Sequence, residues 1–262
     1  MPYRAPDHEL VKVALRSQWR VILDAIDGLS NEDYAKPTRL PGWDVAALVA
    51  HLAGNPLWLT RCASAPTASR AMRDHQSYFD VTDSESIGAT ARQRAHERSH
   101  QELQELAHEW TAEAVGLLDQ VDPTTIIAGP TEPISFADLV FSRVVEGVVH
   151  GLDLAAATRP FSPDPEALKL VTRWLAARLE RAAPGRTIEV RIPPVVAVQI
   201  GGPEGEGPRH TRGTPPNIVE TDPLTWVDLA AGRLEWTDAV ATHRVSASGR
   251  LADLAFTLPL LG

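Results

Sequence analysis

Two patterns of apolar residues divide the chain into a helical part and a mixed part. As far as about residue 157, apolar positions recur at helical spacing, whereas after residue 185 short β-rich runs alternate with clusters of proline and glycine. Three prolines in residues 158–165 predict a stiff connector, because proline cannot extend a helix. The pattern predicts an α+β protein, with a helical domain over 1–157 and a smaller α+β domain over 158–262.

Four long helices are predicted in the first part. They cover about residues 7–27, a stretch that begins around Gly42 and Asp44, about 89–121, and about 135–157. Four helices of this length typically pack as a bundle. The connection over 63–87 is longer than the usual link between bundle helices, and we expect it to cross over the bundle or to form a lid.

The second part is predicted to begin with a helix over about 165–183 and to contain a small sheet. The strand candidates are 187–192, 195–200 and 243–248, and two short helices are expected at 222–230 and 251–258, each after a capping or turn residue. The segment 201–216, rich in glycine and proline, is interpreted as a loop between strands.

Composition then narrows the classes of function. Acidic residues outnumber basic ones by 34 to 25, and the resulting net charge of −9 disfavours binding to the phosphate backbone of nucleic acid. The sequence has no apolar run of about 20 residues and no basic leader before an apolar core, so we expect a cytoplasmic protein without a membrane partner. Cys62 is the single cysteine, which excludes an intramolecular disulfide and a thiolate-rich metal site.

The segment FSRVVEGVVHGLDLA holds the most informative polar residues. Glu146 and His150 are four residues apart, so on a helix their side chains project from one face, as two ligands of one metal must. Arg143 and Asp153 lie on the same side, opposite an apolar face. By itself, the pair is explained more simply by a Glu–His hydrogen bond, because such spacings are common.

His51 is a candidate third ligand. It lies in DVAALVAHLAGN on the second predicted helix, where a lone histidine is more often a core residue with backbone hydrogen bonds. Taken together, His51, Glu146 and His150 supply two nitrogens and one carboxylate from two helices and leave open positions for water and substrate. This donor set suits catalytic zinc, with iron or another divalent ion as the alternative.

Other polar groups are less informative. His96 and His100 are also four residues apart, but their segment is charged on every side and predicts a solvated helix face. Cys62 has no matched base in the sequence. Ser246 and Ser248 lack the strand-turn-helix motif of serine hydrolases, and no glycine-rich loop has the spacing of a phosphate-binding loop.

Longer stretches of the chain resemble a known family. LPGWDVAALVAHLAGN followed by VVEGVVHGLDLA resembles the amino-terminal domain of the mycothiol-dependent maleylpyruvate isomerase family, a branch of the DinB-like metal-binding four-helix bundles. ETDPLTWVDLAAGRLEWTDAV and HRVSASGRLADLAFTLPLL are similar to the carboxy-terminal domain of that family, which is related in fold to sterol carrier proteins. The resemblance covers nearly the whole chain. Trp43, in the first stretch, is interpreted as a packing residue at a helix start.

The resemblance implies a metal site. His51, Glu146 and His150 would hold a divalent metal, usually zinc, whose open position takes the thiolate of mycothiol or a similar low-molecular-weight thiol. Asp153 would either accept the free ring N–H of a ligating histidine or lie as a carboxylate at the helix surface.

The resemblance also implies an arginine of the second domain that reaches the metal cleft and binds a substrate carboxylate. Arg244 is the favoured candidate, because a strand position is better fixed than the turn predicted for Arg233.

The predicted function is that of a metal-dependent thiol enzyme acting on a small electrophile. The protein would be an isomerase that adds mycothiol transiently across a double bond, or an S-transferase that leaves the thiol attached. Two alternatives stay open: a non-enzymatic carrier of a lipid or other small molecule, and a hydrolase that uses metal-bound hydroxide on the same bundle. We expect a monomer or a homodimer.

Overall fold

A computed structural model describes residues 5–81, 83–128, 132–203 and 215–261 of the chain. Contacts between residues divide the chain into two units: Pro6–Ala167 form the first, and the residues from Leu168 onward belong to the second. The division falls in the first turn of a helix that begins at Pro165, after the proline-rich connector. It lies somewhat later than the boundary expected at residue 157.

The described residues of the first unit include five helices. They are α1 (His8–Asp27), α2 (Val45–Ala63), α3 (Ser84–His96), α4 (His100–Leu117) and α5 (Phe136–Ala157). Side-chain oxygens cap backbone N–H groups in their first turns: Asp44 accepts from Ala47 before α2, and Ser135 accepts from Asp138 before α5. No helix in the described ranges has both the length and the apolar character needed to cross a membrane.

The predicted third helix is in fact two helices, so the prediction of a single helix over 89–121 is wrong. α3 ends at His96, and α4 begins after Ser99. Ser99 Oγ accepts from the backbone N–H of Glu102, while the Glu102 carboxylate accepts from the backbone N–H of Ser99. This reciprocal capping box starts a new helix, and the spacing of apolar residues alone does not reveal it.

The long helices α1, α2, α4 and α5 form the predicted four-helix bundle, and α3 packs against α2. Each leucine, isoleucine or valine that is fully buried in the core contributes about 1.5–3 kcal/mol. The apolar stripes also fix the rotation of each helix, which decides the polar residues that meet inside the bundle. Core residues with almost no exposure include Leu15 and Ile26 of α1, Leu48 and Leu59 of α2, Leu103 of α4, and Leu139, Val144 and Val148 of α5.

The connection between α2 and α3, for which the sequence left a crossover or a lid open, forms bridges with another segment of the first unit. It runs along a short antiparallel pair of strands that precedes α5, β1 (Ile126–Ile127) and β2 (Ile134–Ser135). Thr67 forms a bridge with Ile127, and Arg73 forms one with Ile134. A short 3-10 turn at Tyr78–Val81 then leads the chain towards α3.

The second unit contains a four-stranded mixed sheet and three helices. Strand β3 pairs antiparallel with β4 and parallel with β5, and β5 pairs antiparallel with β6. Trp174 and Trp226 are fully buried. Trp226 Nε1 donates to the carbonyl of Thr172, and this hydrogen bond joins the first two of the three helices. The elements are β3 (Pro184–Ile192), β4 (Val196–Ile200), β5 (Ile218–Thr221) and β6 (Val245–Ser248), with α6 (Pro165–Ala182), α7 (Pro223–Ala230) and α8 (Trp236–Ala241).

Two short elements of this unit were not predicted, and one predicted element is absent. β5 and α8 have only four and six residues, too few to show a clear period. The helix predicted over 251–258 is wrong: these residues form turns, in which the Asp253 carboxylate accepts from the backbone N–H of Ala255 and competes with helical hydrogen bonds. Of the loop expected over 201–216, residues 204–214 lie outside the described residues.

Candidate metal centre

Two glycines of α5 determine the face that this helix turns towards α2. Gly147 and Gly151 lie against the buried Gln18 of α1. A Cβ added at Gly147 would lie 3.1 Å from Gln18 Cγ, and a Cβ added at Gly151 would lie 3.2 Å from Gln18 Nε2. Gln18 Nε2 also donates to the carbonyl of Gly147 at 2.9 Å. Because α1 occupies the glycine face, the residue before each glycine, Glu146 or His150, faces α2.

His51, Glu146 and His150 meet between α2 and α5. His51 Nε2 lies 3.0 Å from Glu146 Oε2, and His150 Nε2 lies 3.6 Å from the same oxygen. One ligand atom from each of the three side chains lies within 4.8 Å of the other two. The side chains of His51, Glu146 and His150 are only 13%, 11% and 17% exposed. The structure therefore brings together the three residues that the sequence singled out.

The donor set and its spacing fit a divalent metal. Zinc in tetrahedral coordination, with bonds of about 2.1 Å, holds neighbouring ligand atoms about 3.4 Å apart. Both distances from Glu146 Oε2 are close to that value. Two imidazoles and one carboxylate also match zinc sites that keep a fourth position for water or substrate. Within the described part of the chain, these three residues form the one group of three or more potential ligands arranged for a metal.

Asp153 is the hydrogen-bond partner of His150 at Nδ1. Its carboxylate is fully buried and lies 2.9 Å from His150 Nδ1 through Oδ2, while Oδ1 accepts from the guanidinium of Arg39 at 3.0 and 3.2 Å. Because an ionised carboxylate only accepts hydrogen bonds, Nδ1 carries the proton and Nε2 keeps its lone pair towards Glu146. The alternative of a surface carboxylate at Asp153 is therefore wrong.

The electrostatics favour neutral imidazole beside an ionised carboxylate. Burial lowers the pKa of His51, and the neighbouring His150 and Arg143 lower it further, although the hydrogen bond with Glu146 opposes this shift. Burial raises the pKa of Glu146, but the hydrogen bond with His51, together with the charge of Arg143, outweighs it, so that the pKa falls well below its usual range. Neutral histidine and carboxylate are the forms that bind a cation.

A cavity of about 370 Å³ adjoins the three residues, with His51 and Glu146 in its wall. About one helical turn from these two ligands, the cavity wall also includes Asn55 of α2 and Arg143 of α5. Arg94 of α3 lines the cavity as well. The sequence analysis noted Arg143 beside Glu146, but it did not predict Asn55 or Arg94 as residues of the site. Asn55 was detectable one helical turn after His51, whereas Arg94 lies in the charged segment that had been interpreted as a solvated face.

The other bundle residues that the sequence analysis considered occupy positions that serve the structure of the bundle. His96 ends α3, while His100 begins α4 and stacks on Tyr34 at 4.0 Å, so these histidines do not form a metal pair. Cys62 is buried, and burial raises the pKa of its thiol. Trp43 packs against His51 with ring centroids 5.5 Å apart, which agrees with its interpretation as a packing residue.

Both arginine candidates belong to the second unit. Arg244 immediately precedes β6 and donates to Asp228 Oδ2 at 3.1 Å and to Thr225 Oγ1 at 3.3 Å. Arg233 donates to the carbonyl of Ala231 at 2.8 Å. Their assignment to substrate binding stays a prediction of the sequence.

Comparison with known proteins places the chain in a family. The family model for the N-terminal domain of mycothiol maleylpyruvate isomerase matches residues 15–155, more than half of the chain. The chain belongs to the mycothiol maleylpyruvate isomerase family. A second family model, described as a bacterial SCP ortholog, matches residues 164–260. The predicted fold, a DinB-like bundle followed by a sterol-carrier-like α+β domain, is thereby confirmed.

Solved structures agree with this family. The chain is similar to the crystal structure of the mycothiol-dependent maleylpyruvate isomerase, with a TM-score of 0.63, 14% identity and 95% coverage of each chain. A histidine-to-alanine mutant of the mycothiol-dependent maleylpyruvate isomerase gives the same values. At this identity, the likeness shows a shared fold. No curated protein matches the chain significantly.

Proposed function

We propose that the protein is a divalent-metal-dependent enzyme that uses mycothiol or a similar low-molecular-weight thiol to act on a small electrophile. The observation that carries this proposal is the convergence of His51, Glu146 and His150 beside a cavity, on a bundle of the mycothiol maleylpyruvate isomerase family. Zinc as the metal, a cytoplasmic location and a monomeric or homodimeric state are further predictions from the sequence.

The three residues would hold the metal, and other residues of the chain would prepare the site. A divalent metal bound there lowers the pKa of a coordinated thiol, which makes the sulfur nucleophilic at neutral pH. Asp153 holds the His150 ring in the ligating tautomer, and Arg39 keeps the carboxylate of Asp153 ionised. Buried apolar residues of the bundle would limit access of water to a thiol bound there.

The same activated thiol serves two reactions. In an isomerase, the sulfur adds to one carbon of a double bond, the new single bond rotates, and expulsion of the thiolate restores the double bond in the other geometry. In an S-transferase, the carbon–sulfur bond persists and the thioether leaves as product. Arg244, or Arg233 in its place, is proposed to bind an anionic group of the substrate through the planar fork of its guanidinium.

A carrier function is the second candidate, because residues 164–260 match the bacterial SCP ortholog model. A carrier sequesters an apolar ligand and has no need of a stoichiometric metal. It also predicts that substitution of His51 leaves ligand binding unchanged.

The proposal is tested by incubating the metal-loaded protein with mycothiol and a panel of electrophiles that includes maleylpyruvate. An isomerase converts its substrate while the free thiol stays constant, whereas a transferase consumes one thiol for each product. His51→Ala should abolish either activity. Conversion that is independent of thiol, or no conversion by a protein that tightly binds apolar ligands, would contradict the proposal.

A further inference from the structure

Arg143 is a buried cation whose hydrogen bonds go to neutral hydroxyl groups, while the carboxylate that it affects electrostatically, Glu146, is a candidate metal ligand. Arg143 is only 5% exposed to solvent. The guanidinium donates to Ser142 Oγ at 3.1 and 3.2 Å and to Tyr78 Oη at 3.0 Å. A buried charge is unfavourable unless it is paired or strongly hydrogen-bonded. Because Arg143 also lines the cavity beside Glu146, it can receive a negative partner from that space.

Asn55 is a buried amide with unused hydrogen-bonding capacity on the same cavity. It is 3% exposed, and among the described residues neither its Nδ2 nor its Oδ1 has a hydrogen-bond partner. Such a group is costly to bury when it is left unpaired, and native proteins seldom leave one without a function. Asn55 follows His51 by one turn of α2, as Arg143 precedes Glu146 by about one turn of α5. Both residues therefore extend the site from its metal ligands into the cavity.

Arg94 brings a second cation to the cavity from α3. Its guanidinium donates to the carbonyl of Ala50 at 2.8 Å and lies over the ring of Trp110 at 5.2 Å. Gly54 leaves room for it, since an added Cβ would collide with the guanidinium. No carboxylate in the described ranges forms an ion pair with Arg94, and the charged groups that affect it most are Arg61 and Arg98, both cationic.

The two carboxylates of the cavity wall already have partners. Asp83 caps α3 by accepting from the backbone N–H of Ser86 at 3.0 Å. Glu146 is hydrogen-bonded to His51 and belongs to the candidate metal ligands. The cavity thus offers two guanidinium groups and one amide to whatever enters it.

We propose that this cavity is a subsite for a carboxylate group of the electrophilic substrate, bound by Arg94, Arg143 and Asn55. This proposal rests on the proposed function and extends it, because it states where in the bundle the carboxylate group of the substrate binds. Guanidinium and amide N–H groups are the donors that carboxylates accept best, and a space of about 370 Å³ lies within the usual range of small-ligand pockets. The subsite positions the substrate beside the activated sulfur.

Titration of the full-length protein with succinate tests the subsite, with binding measured by calorimetry and metal content measured in parallel. Wild type should bind succinate, and Arg94→Gln and Asn55→Leu should each weaken this binding at least tenfold at unchanged metal content. Arg92→Gln is the matched control, because Arg92 is exposed on the same helix and does not line the cavity. The neutral analogue succinamide should bind much more weakly than succinate.

Asn55→Leu also separates ligand binding from a structural role. Leucine has the same branched arrangement of side-chain heavy atoms as asparagine and removes two buried polar atoms that lack partners, so the Tm should stay the same or rise while succinate binding falls. A structural role for the amide predicts a lower Tm instead. If Arg94→Gln unfolds, Arg94→Lys keeps the charge and should retain part of the binding.

Three results would overturn the subsite: no succinate binding by wild type, wild-type affinity in both Arg94→Gln and Asn55→Leu, or equal binding of succinamide and succinate. The titration contains no thiol and measures no turnover. If the thiol assay shows no activity but succinate binds as expected, only the proposed function is rejected. If the thiol assay shows activity but succinate does not bind as expected, only the subsite is rejected.

Discussion

At the scale of single residues, Asp153 connects the candidate metal ligands to the rest of the bundle. Its two carboxylate oxygens are divided between His150 and Arg39, and the side chain is fully buried. A buried carboxylate remains ionised here because a guanidinium and an imidazole N–H both donate to it. The orientation of His150 therefore depends on a residue that does not itself contact the metal position.

Asp153→Ala should weaken metal binding by about 10- to 100-fold while all three ligands remain. The His150 ring would lose the acceptor that fixes its tautomer. Competition with a chelator of known affinity measures the change. Asp27→Ala is a matched control, because it removes a carboxylate from an exposed Asp–His pair with His108. Equal metal affinity of Asp153→Ala and wild type would show that Asp153 has no part in the site.

At the scale of elements, the ends of helices show what the sequence could predict. α2 and α5 were predictable because a capping side chain precedes a continuous apolar stripe. Glu146 and His150 were found as candidate ligands because they are four residues apart on the side of α5 opposite its apolar face. The break between α3 and α4 depends on two hydrogen bonds at Ser99 that leave the apolar spacing unchanged.

The cavity residues were harder to predict than the ligands. Arg94 contacts the cavity only because α3 is separate from α4 and packs on α2. Its functional surroundings depend on tertiary packing, whereas the sequence around it shows only a charged helix. Arg143 and Asn55, in contrast, lie about one turn from a ligand and could be placed once two helices were known to meet.

Ser99→Ala tests the helix break. Loss of the cap should lower the free energy of unfolding by about 1 kcal/mol, because the first turn of α4 then has an unsatisfied N–H. Urea unfolding measures the difference. Ser84→Ala changes an exposed serine in the first turn of α3 and should stay within about 0.5 kcal/mol of wild type. The same stability for both variants would contradict the role of the capping box.

At the scale of the whole molecule, the two units contribute different kinds of residue. The first carries the three candidate ligands and the cavity, and the second carries the arginine candidates. The first unit matches the family model of the mycothiol maleylpyruvate isomerase N-terminal domain, and the second matches the model described as a bacterial SCP ortholog. The side chain of Arg244 is 40% exposed and makes an ion pair with Asp228, so its guanidinium is held on one side and accessible on another.

Arg244→Ala should lower kcat/KM by about ten- to a few hundredfold at full metal occupancy, the equivalent of losing a charge-assisted contact worth about 1.5–3 kcal/mol. Arg244→Lys should recover only part of the loss, because ammonium lacks the planar fork. Arg250→Ala, at another exposed arginine of this unit, should behave as wild type. Unchanged kinetics in Arg244→Ala would remove the residue from the substrate site.

The metal content of purified variants tests the central claim most directly. Wild type should contain one equivalent of a divalent metal, and His51→Ala, Glu146→Ala and His150→Ala should each lose it, because each removes one of three converging ligands. His96→Ala, which changes an exposed histidine at the end of α3, should keep the full equivalent. One tightly bound equivalent in Glu146→Ala or His150→Ala, or no metal in wild type grown and purified with zinc, would contradict the account.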